Sequence, residues 1–261
     1  MNDAETITED AFLGGRLRLR QPKRGHRAGH DAILLAAATA VAAGDRVVDF
    51  GAGVGAAGLA VACRVAGVDP VLVEIDPTLA ALARHNAAAN NLQAEVVVLD
   101  VTASAADFAA VGLLPDSADA VLMNPPFNDA GRHRASPDTA RSLAHQATAA
   151  TLDGWVHAAR RVLKSDGRLT LIWRAEALAE VLGALDKGFG SLAVLPVHPD
   201  AASPAIRIIV SAVKGGRAPL TLCPALVLND EFGKSRGPVQ AVLRGEQPLL
   251  LTGRQSTDRG R

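Results

Sequence analysis

Along most of this chain, short apolar runs alternate with longer segments in which apolar residues recur every three or four positions. The runs Val47–Phe50, Val71–Ile75, Glu95–Leu99, Ala118–Met123 and Arg168–Trp173 read as strands. The segments Ala56–Val65, Pro77–Asn90, Ala103–Ala109, Leu152–Leu163 and Glu176–Leu185 read as helices. Strands and helices taking turns over short loops build right-handed βαβ units, hence a largely parallel sheet with helices on both faces. Gly167, after Lys164-Ser165-Asp166, marks a helix-to-strand turn. After residue 190 the rhythm changes. Leu192–Val197 and Ala205–Val213 are joined only by His198–Pro204, a link short enough to require an antiparallel pair. The pattern predicts an α/β fold with a seven-stranded, mostly parallel sheet and a C-terminal antiparallel hairpin. Residues 217–229 carry leucines suited to an added edge.

The first 30 residues follow a different pattern. In Arg16-Leu17-Arg18-Leu19-Arg20, period-two alternation predicts a strand with leucines inward and arginines outward. Lys23, Arg24, His26 and Arg27 extend the positive charge with no acid close in sequence. Asp31 reads as the N-cap of an apolar helix through about Val41. The organisation expected is a basic extension over residues 1–30, one catalytic domain over 31–230 and a tail over 231–261. Formal charge balances at zero, so no global basic field advertises nucleic acid, although a local basic face is compatible with that balance. Cys63 and Cys223 lie far apart and match no metal spacing, which suggests two small buried hydrophobes, a reducing compartment and no metal. The acidic start (Asp3, Glu5, Glu9, Asp10) is wrong for a signal peptide, and no apolar stretch reaches the ~20 residues of a membrane span. A cytoplasmic protein with no membrane association is the expectation.

Candidate chemistry collects at strand ends, where open α/β sheets bind ligands. Asn124-Pro125-Pro126-Phe127 follows the fourth strand: a stiff turn with amide and carbonyl acceptors beside a flat ring, suited to gripping a planar amino group. Taken singly, Asn124 could be only a turn former and Phe127 only a core contact. At the first strand end stands Asp49-Phe50-Gly51-Ala52-Gly53-Val54-Gly55, where Gly51, Gly53 and Gly55 let backbone approach a ligand. Gly53-Val54-Gly55-Ala56-Ala57-Gly58, with Glu74 placed to bind a ribose, also fits a dinucleotide fingerprint, so a nicotinamide enzyme is an alternative. Three details favour S-adenosylmethionine instead. Asp49 would repel a pyrophosphate but could hold an ammonium or a water; Asp100 could accept from an adenine amine; and hydride transfer has no use for Asn-Pro-Pro-Phe. Each acid also has a structural reading, with Asp100 ending its strand and Asp76 capping the helix that opens at Pro77.

Asp49–Gly55, Glu74, Asp100 and Asn124–Phe127 together resemble the class I S-adenosylmethionine-dependent methyltransferases, in the branch that modifies amino groups. Gln21–Arg27, His30–Leu35 and Ala135-Ser136-Pro137-Asp138 narrow the likeness to bacterial tRNA1(Val) adenine-N6 methyltransferases. Phe127 stands where such proteins often have Tyr, which keeps the stacking face and loses a hydroxyl. The resemblance implies a Rossmann-like fold and an RNA substrate, most simply a tRNA. It implies catalysis by Asn124, Pro125, Pro126 and Phe127, and S-adenosylmethionine held by Asp49, Gly51, Gly53, Gly55, Glu74, Asp100 and Asp31. RNA contacts are expected from Arg16, Arg18, Lys23, Arg24, Arg27, Arg132 and Arg134. The outward arginines could equally protect a sheet edge. Rival substrates for the same turn are a release-factor glutamine, a ribosomal guanine N2 or a DNA adenine. A rival of another class is an idle binding module that keeps the fold.

Overall fold

The structure, a computed structural model, describes residues 7–24, 27–126 and 137–251, with backbone alone over 137–149. An antiparallel hairpin, β1 (Ile7–Phe12) and β2 (Leu17–Pro22), precedes helix α1 (His30–Ala38). There follow β3 (Arg46–Phe50), α2 (Ala56–Arg64), β4 (Asp69–Glu74), α3 (Pro77–Ala89), β5 (Glu95–Val98), α4 (Ala105–Ala110) and β6 (Ala118–Met123). Then come α5 (Pro137–Val162), β7 (Leu163–Arg174), α6 (Leu178–Leu185), β8 (Phe189–His198), β9 (Arg207–Lys214), β10 (Thr221–Leu222), β11 (Leu226–Val227) and α7 (Gly237–Leu243).

The sheet order is β10-β8-β9-β7-β6-β3-β4-β5, with β11 also on β8. Its seven longer strands are those expected, and β9 alone runs against the others. The sheet has nine strands rather than seven because β10 and β11, two residues each, add in parallel to the outer edge of β8. Alternation along the strands supplies both faces with core. Val48, Phe50, Val71, Val73, Val121 and Met123 lie with α4, α5 and α6; Val47, Leu72, Ala120 and Leu122 lie with α1, α2, α3, α7 and the hairpin. On the first face the Phe50 and Phe108 rings meet edge to face, 6.0 Å between centroids, and Arg161 lies over Phe108.

Four local expectations change. The helix expected from Leu152 begins at Pro137, and its described buried residues include Leu152, Trp155, Val156, Ala159 and Val162. Residues 164–167 are a bulge inside β7 rather than a turn before it, between the pairs Ala118↔Leu163 and Ala120↔Arg168. The N-cap of α1 is Gly29, not Asp31, whose side chain sits in the first turn and pairs with Arg207. Helix α1 stops at Ala38, where Thr39 turns extended and its hydroxyl donates to the Leu35 carbonyl.

β2 has the expected alternation: Leu17 and Leu19 are fully buried and Arg18 and Arg20 point outward. β1, which the acidic composition had not suggested, places Glu9 beside those cations and Asp10 beside Arg27. The hairpin leucines share the core of α1, α2 and α3. Leu19→Ala is therefore expected to cost about 2–5 kcal/mol in a denaturant titration, whereas Arg18→Ala leaves the midpoint nearly unchanged. Equal, small effects at both positions would show that the hairpin is not part of this core.

Candidate functional site

Parallel pairing in register assembles the site. Phe50 pairs with Met123 on one side and Val73 on the other, and Glu74 pairs with Val98. Gly51, Asn124, Ile75 and Asp100 therefore leave neighbouring strands on one edge of the sheet. The loop after β3 takes positive φ at Gly51, Gly53 and Gly55 (68°, 57° and 88°), which any side chain would strain. At Gly51 a methyl group would also run into the Trp155 indole from α5. At Gly53 it would meet no atom within 4 Å, so that face of the loop is open.

Three of the loop amides are engaged. The Ala52 N–H donates to the Val73 carbonyl (2.9 Å), the Gly53 N–H to Glu74 Oε2 (2.7 Å) and the Gly55 N–H to the Ala52 carbonyl (2.8 Å). In the first turns of α2, the Gly58 N–H donates to Asp49 Oδ2 at 2.8 Å. Asp49 is buried, and desolvation pushes its pKa up to about 7; the Gly58 amide opposes the rise and the Glu74 charge adds to it. Glu74, also buried, uses Oε1 to accept from the Asp76 N–H and so fastens the loop to its own strand end. Asp76 is the N-cap of α3, accepting from Thr78 and Leu79 with Pro77 behind it. Asp100 is exposed and closes a turn, its Oδ1 accepting from the Thr102 N–H and hydroxyl (both 2.7 Å), while Ser104 caps α4.

Asn124 presents the most telling atom. Its Oδ1 is buried and has no hydrogen-bond partner among the described residues. A buried carbonyl oxygen left without a donor costs about 1–3 kcal/mol, so a donor arriving there would be favoured. Pro125 is buried and Pro126 exposed. Phe127, Arg132 and Arg134 lie outside the described residues.

The basic stripe is less available than its sequence suggests. Arg16 donates to the Arg244 and Gly245 carbonyls (both 2.9 Å), so it ties the hairpin to the end of α7. Arg18 and Arg20 face Glu9, and Arg27 meets Asp10 at 2.6 Å. Lys23 and Arg24 are exposed just beyond β2. Three contributors were missed. Ile75 is 61% exposed immediately after Glu74, an apolar face at the open edge. Its signal was a large aliphatic residue one place beyond a strand-end acid. Trp155 and Asn86 reach the glycine loop from helices, a long-range contact that carries no local signal.

Residues 29–198 match the model of the methyltransferase small domain. The chain belongs to that family. Among proteins it resembles, a tRNA1(Val) (adenine(37)-N6)-methyltransferase of Porphyromonas gingivalis is 31% identical over 177 residues, covering 66% of this chain and 68% of the relative. One so named from Dickeya chrysanthemi is 26% identical over 231 residues, covering 84% and 86%. A crystal structure from Agrobacterium tumefaciens, described as a predicted O-methyltransferase, superposes with a TM-score of 0.70 at 31% identity, covering 84% of this chain and 98% of that one. The protein is thus a class I S-adenosylmethionine-dependent methyltransferase, and the nicotinamide alternative falls. A physical reason agrees: Asp49 fills an amide of the α2 N-terminus that a pyrophosphate would need. Among the described residues no helix is long and apolar enough to cross a membrane.

Asp49 ionises near 3.8 when unfolded and near 7 when folded, so the folded chain holds the extra proton between those values. Its contribution to stability is complete below about pH 4 and is lost as pH rises through about 7. Asp49→Asn keeps an acceptor for Gly58 without the charge. The melting temperature of the variant relative to the parent is expected to climb across that window. A constant difference would show that Asp49 does not titrate there.

Proposed function

We propose that this methyltransferase methylates the exocyclic N6 amine of adenine in RNA, with a transfer RNA as substrate and the cytoplasm as its place of work. The observation that carries the reading is the buried Oδ1 of Asn124, without a partner among the described residues, at the strand end next to the one that leads into the glycine loop. The names of the two curated relatives support the choice of base and RNA.

The residues present fit the cofactor. Gly53 leaves backbone uncovered, Glu74 retains lone pairs for a ribose diol after its bonds to the Gly53 and Asp76 amides, and Ile75 offers an apolar face to a base. Asp49, behind the loop, is assigned the amino-acid end, and Asp100 is assigned the adenine amine. Asp31, already paired with Arg207, is the weakest member of this set. When bound, the cofactor supplies an electrophilic methyl group on a sulfonium.

The acceptor amine is a poor nucleophile because its lone pair is conjugated with the ring. Asn124 Oδ1 and the Pro125 carbonyl accept its two N–H groups, favour rehybridisation and aim the lone pair. No strong base is required beforehand, since the nitrogen becomes acidic only as it acquires the methyl group. Rate enhancement comes from orientation and from dipoles fixed in advance by the Asn-Pro-Pro turn. Phe127 is assigned the stacking face for a base drawn out of its loop; extrusion costs a few kcal/mol and stacking returns ~1–3. Lys23, Arg24, Arg132 and Arg134 are assigned phosphate contacts; Arg16, Arg18 and Arg27 are lesser candidates because each already has a protein partner.

The test is purified protein, S-adenosylmethionine and unmodified tRNA, with modified nucleosides read by mass spectrometry. N6-methyladenosine is the expected product, and Asn124→Ala should lower kcat by about 10²–10³. Methylation of guanine N2, of a hydroxyl or of a glutamine amide, with none at adenine, would overturn the assignment. Reversing charge at Lys23 and Arg24 should weaken tRNA binding and reduce its salt dependence. Unchanged binding removes them from the interface.

A further inference from the structure

The glycine loop is held from below as well as from the strand side. Asn86 on α3 is 1% exposed and uses its whole side-chain amide. Its Oδ1 accepts from the Arg20 N–H (2.8 Å), and its Nδ2 donates to the Arg20 carbonyl and to the Val54 carbonyl, each at 3.0 Å. One turn on, Asn90 repeats the first half of this pattern on Arg18, accepting from its N–H (2.9 Å) and donating to its carbonyl (2.7 Å). Residues four apart on a helix lie about 6 Å apart, close to the ~6.8 Å between alternate residues of a strand. Two asparagines can therefore pair with β2 much as a neighbouring strand would. Only Asn86 also reaches the loop.

We infer that Asn86 is a positioning residue for the cofactor, fixing the Val54 peptide and making the N-terminal hairpin part of the cofactor site. Glu74 fixes the loop at the Gly53 N–H and Asn86 fixes it at the next residue's carbonyl. Between them the loop cannot rotate its peptide planes independently, so the open face at Gly53 is presented in one orientation. Without the Asn86 donor, the Val54 carbonyl is left buried and unpaired, and the loop must shift to satisfy it. The inference rests on the reading that this loop holds S-adenosylmethionine.

Asn90 is the internal control, because Asn90→Ala loosens the hairpin on α3 and leaves Val54 untouched. Affinity for S-adenosylhomocysteine is measured by calorimetry on the full chain, beside steady-state kinetics. Asn86→Ala is expected to weaken binding about five- to tenfold and to raise KM for S-adenosylmethionine in proportion, with kcat changed by no more than about twofold. Asn90→Ala is expected to bind as the parent does. Should Asn86→Ala fail to fold, Asn86→Asp keeps the size and the acceptor, removes the donor to Val54 and is expected to show the same loss. Parent-like affinity in the Asn86 variants overturns the inference, and so does an equal loss in Asn90→Ala, which would assign the effect to the hairpin alone. If the parent itself fails to bind S-adenosylhomocysteine, the cofactor reading is what fails.

Discussion

The in-register pairing of β3 with β6 is the constraint on which the site depends. Phe50 and Met123 face each other as the last residues of their strands, so the chain leaves the sheet there at the same level twice. One exit turns through glycines and the other through Asn-Pro-Pro. Adjacent parallel strands lie about 4.8 Å apart, so a methyl donor and an acceptor amine can be brought within reach without a moving domain. Slipping β6 by one residue would exchange its two faces and drive Leu122 toward the Phe50 side. The core that fills both sides of the sheet thus protects the alignment of the chemistry.

Around that junction, the buried acids and three of the loop amides are paired. Asp49, Glu74, Asn86 and the loop amides satisfy one another, which keeps a glycine-rich segment in one shape before any ligand arrives. The charge held by Asp49 is costly where it lies, as its raised pKa records. Asn124 Oδ1 stands outside this closed accounting. Lying at a strand end beside the glycine loop, it is placed to meet an incoming N–H group.

Much of this was legible in the sequence because it is written in local chemistry. Strand and helix periods, the glycine spacing, the Asp76-Pro77 cap and the strand-end acids are all short-range signals, and the sheet followed from them. What escaped depends on residues distant in sequence. Asp31 has the composition of a cap, but Arg207 claims it after the chain has crossed the whole fold. The arginines of β2 and Arg27 looked unopposed because the acids that meet them, Glu9 and Asp10, arrive through a hairpin whose first strand carries no clear apolar period.

The side-chain amides of Asn86 and Asn90 have a consequence for association between molecules. A two-stranded ribbon standing apart from the main sheet normally offers a bare rim of N–H and C=O groups to any passing strand. Here α3 occupies that rim at Arg18 and Arg20, covering it with a helix instead of a strand. The β2 rim of the ribbon is closed to recruitment by another chain, and its register against the body is set by amides that recognise backbone alone. Sequence change at the outward positions of β2 can therefore proceed without exposing a template for aggregation.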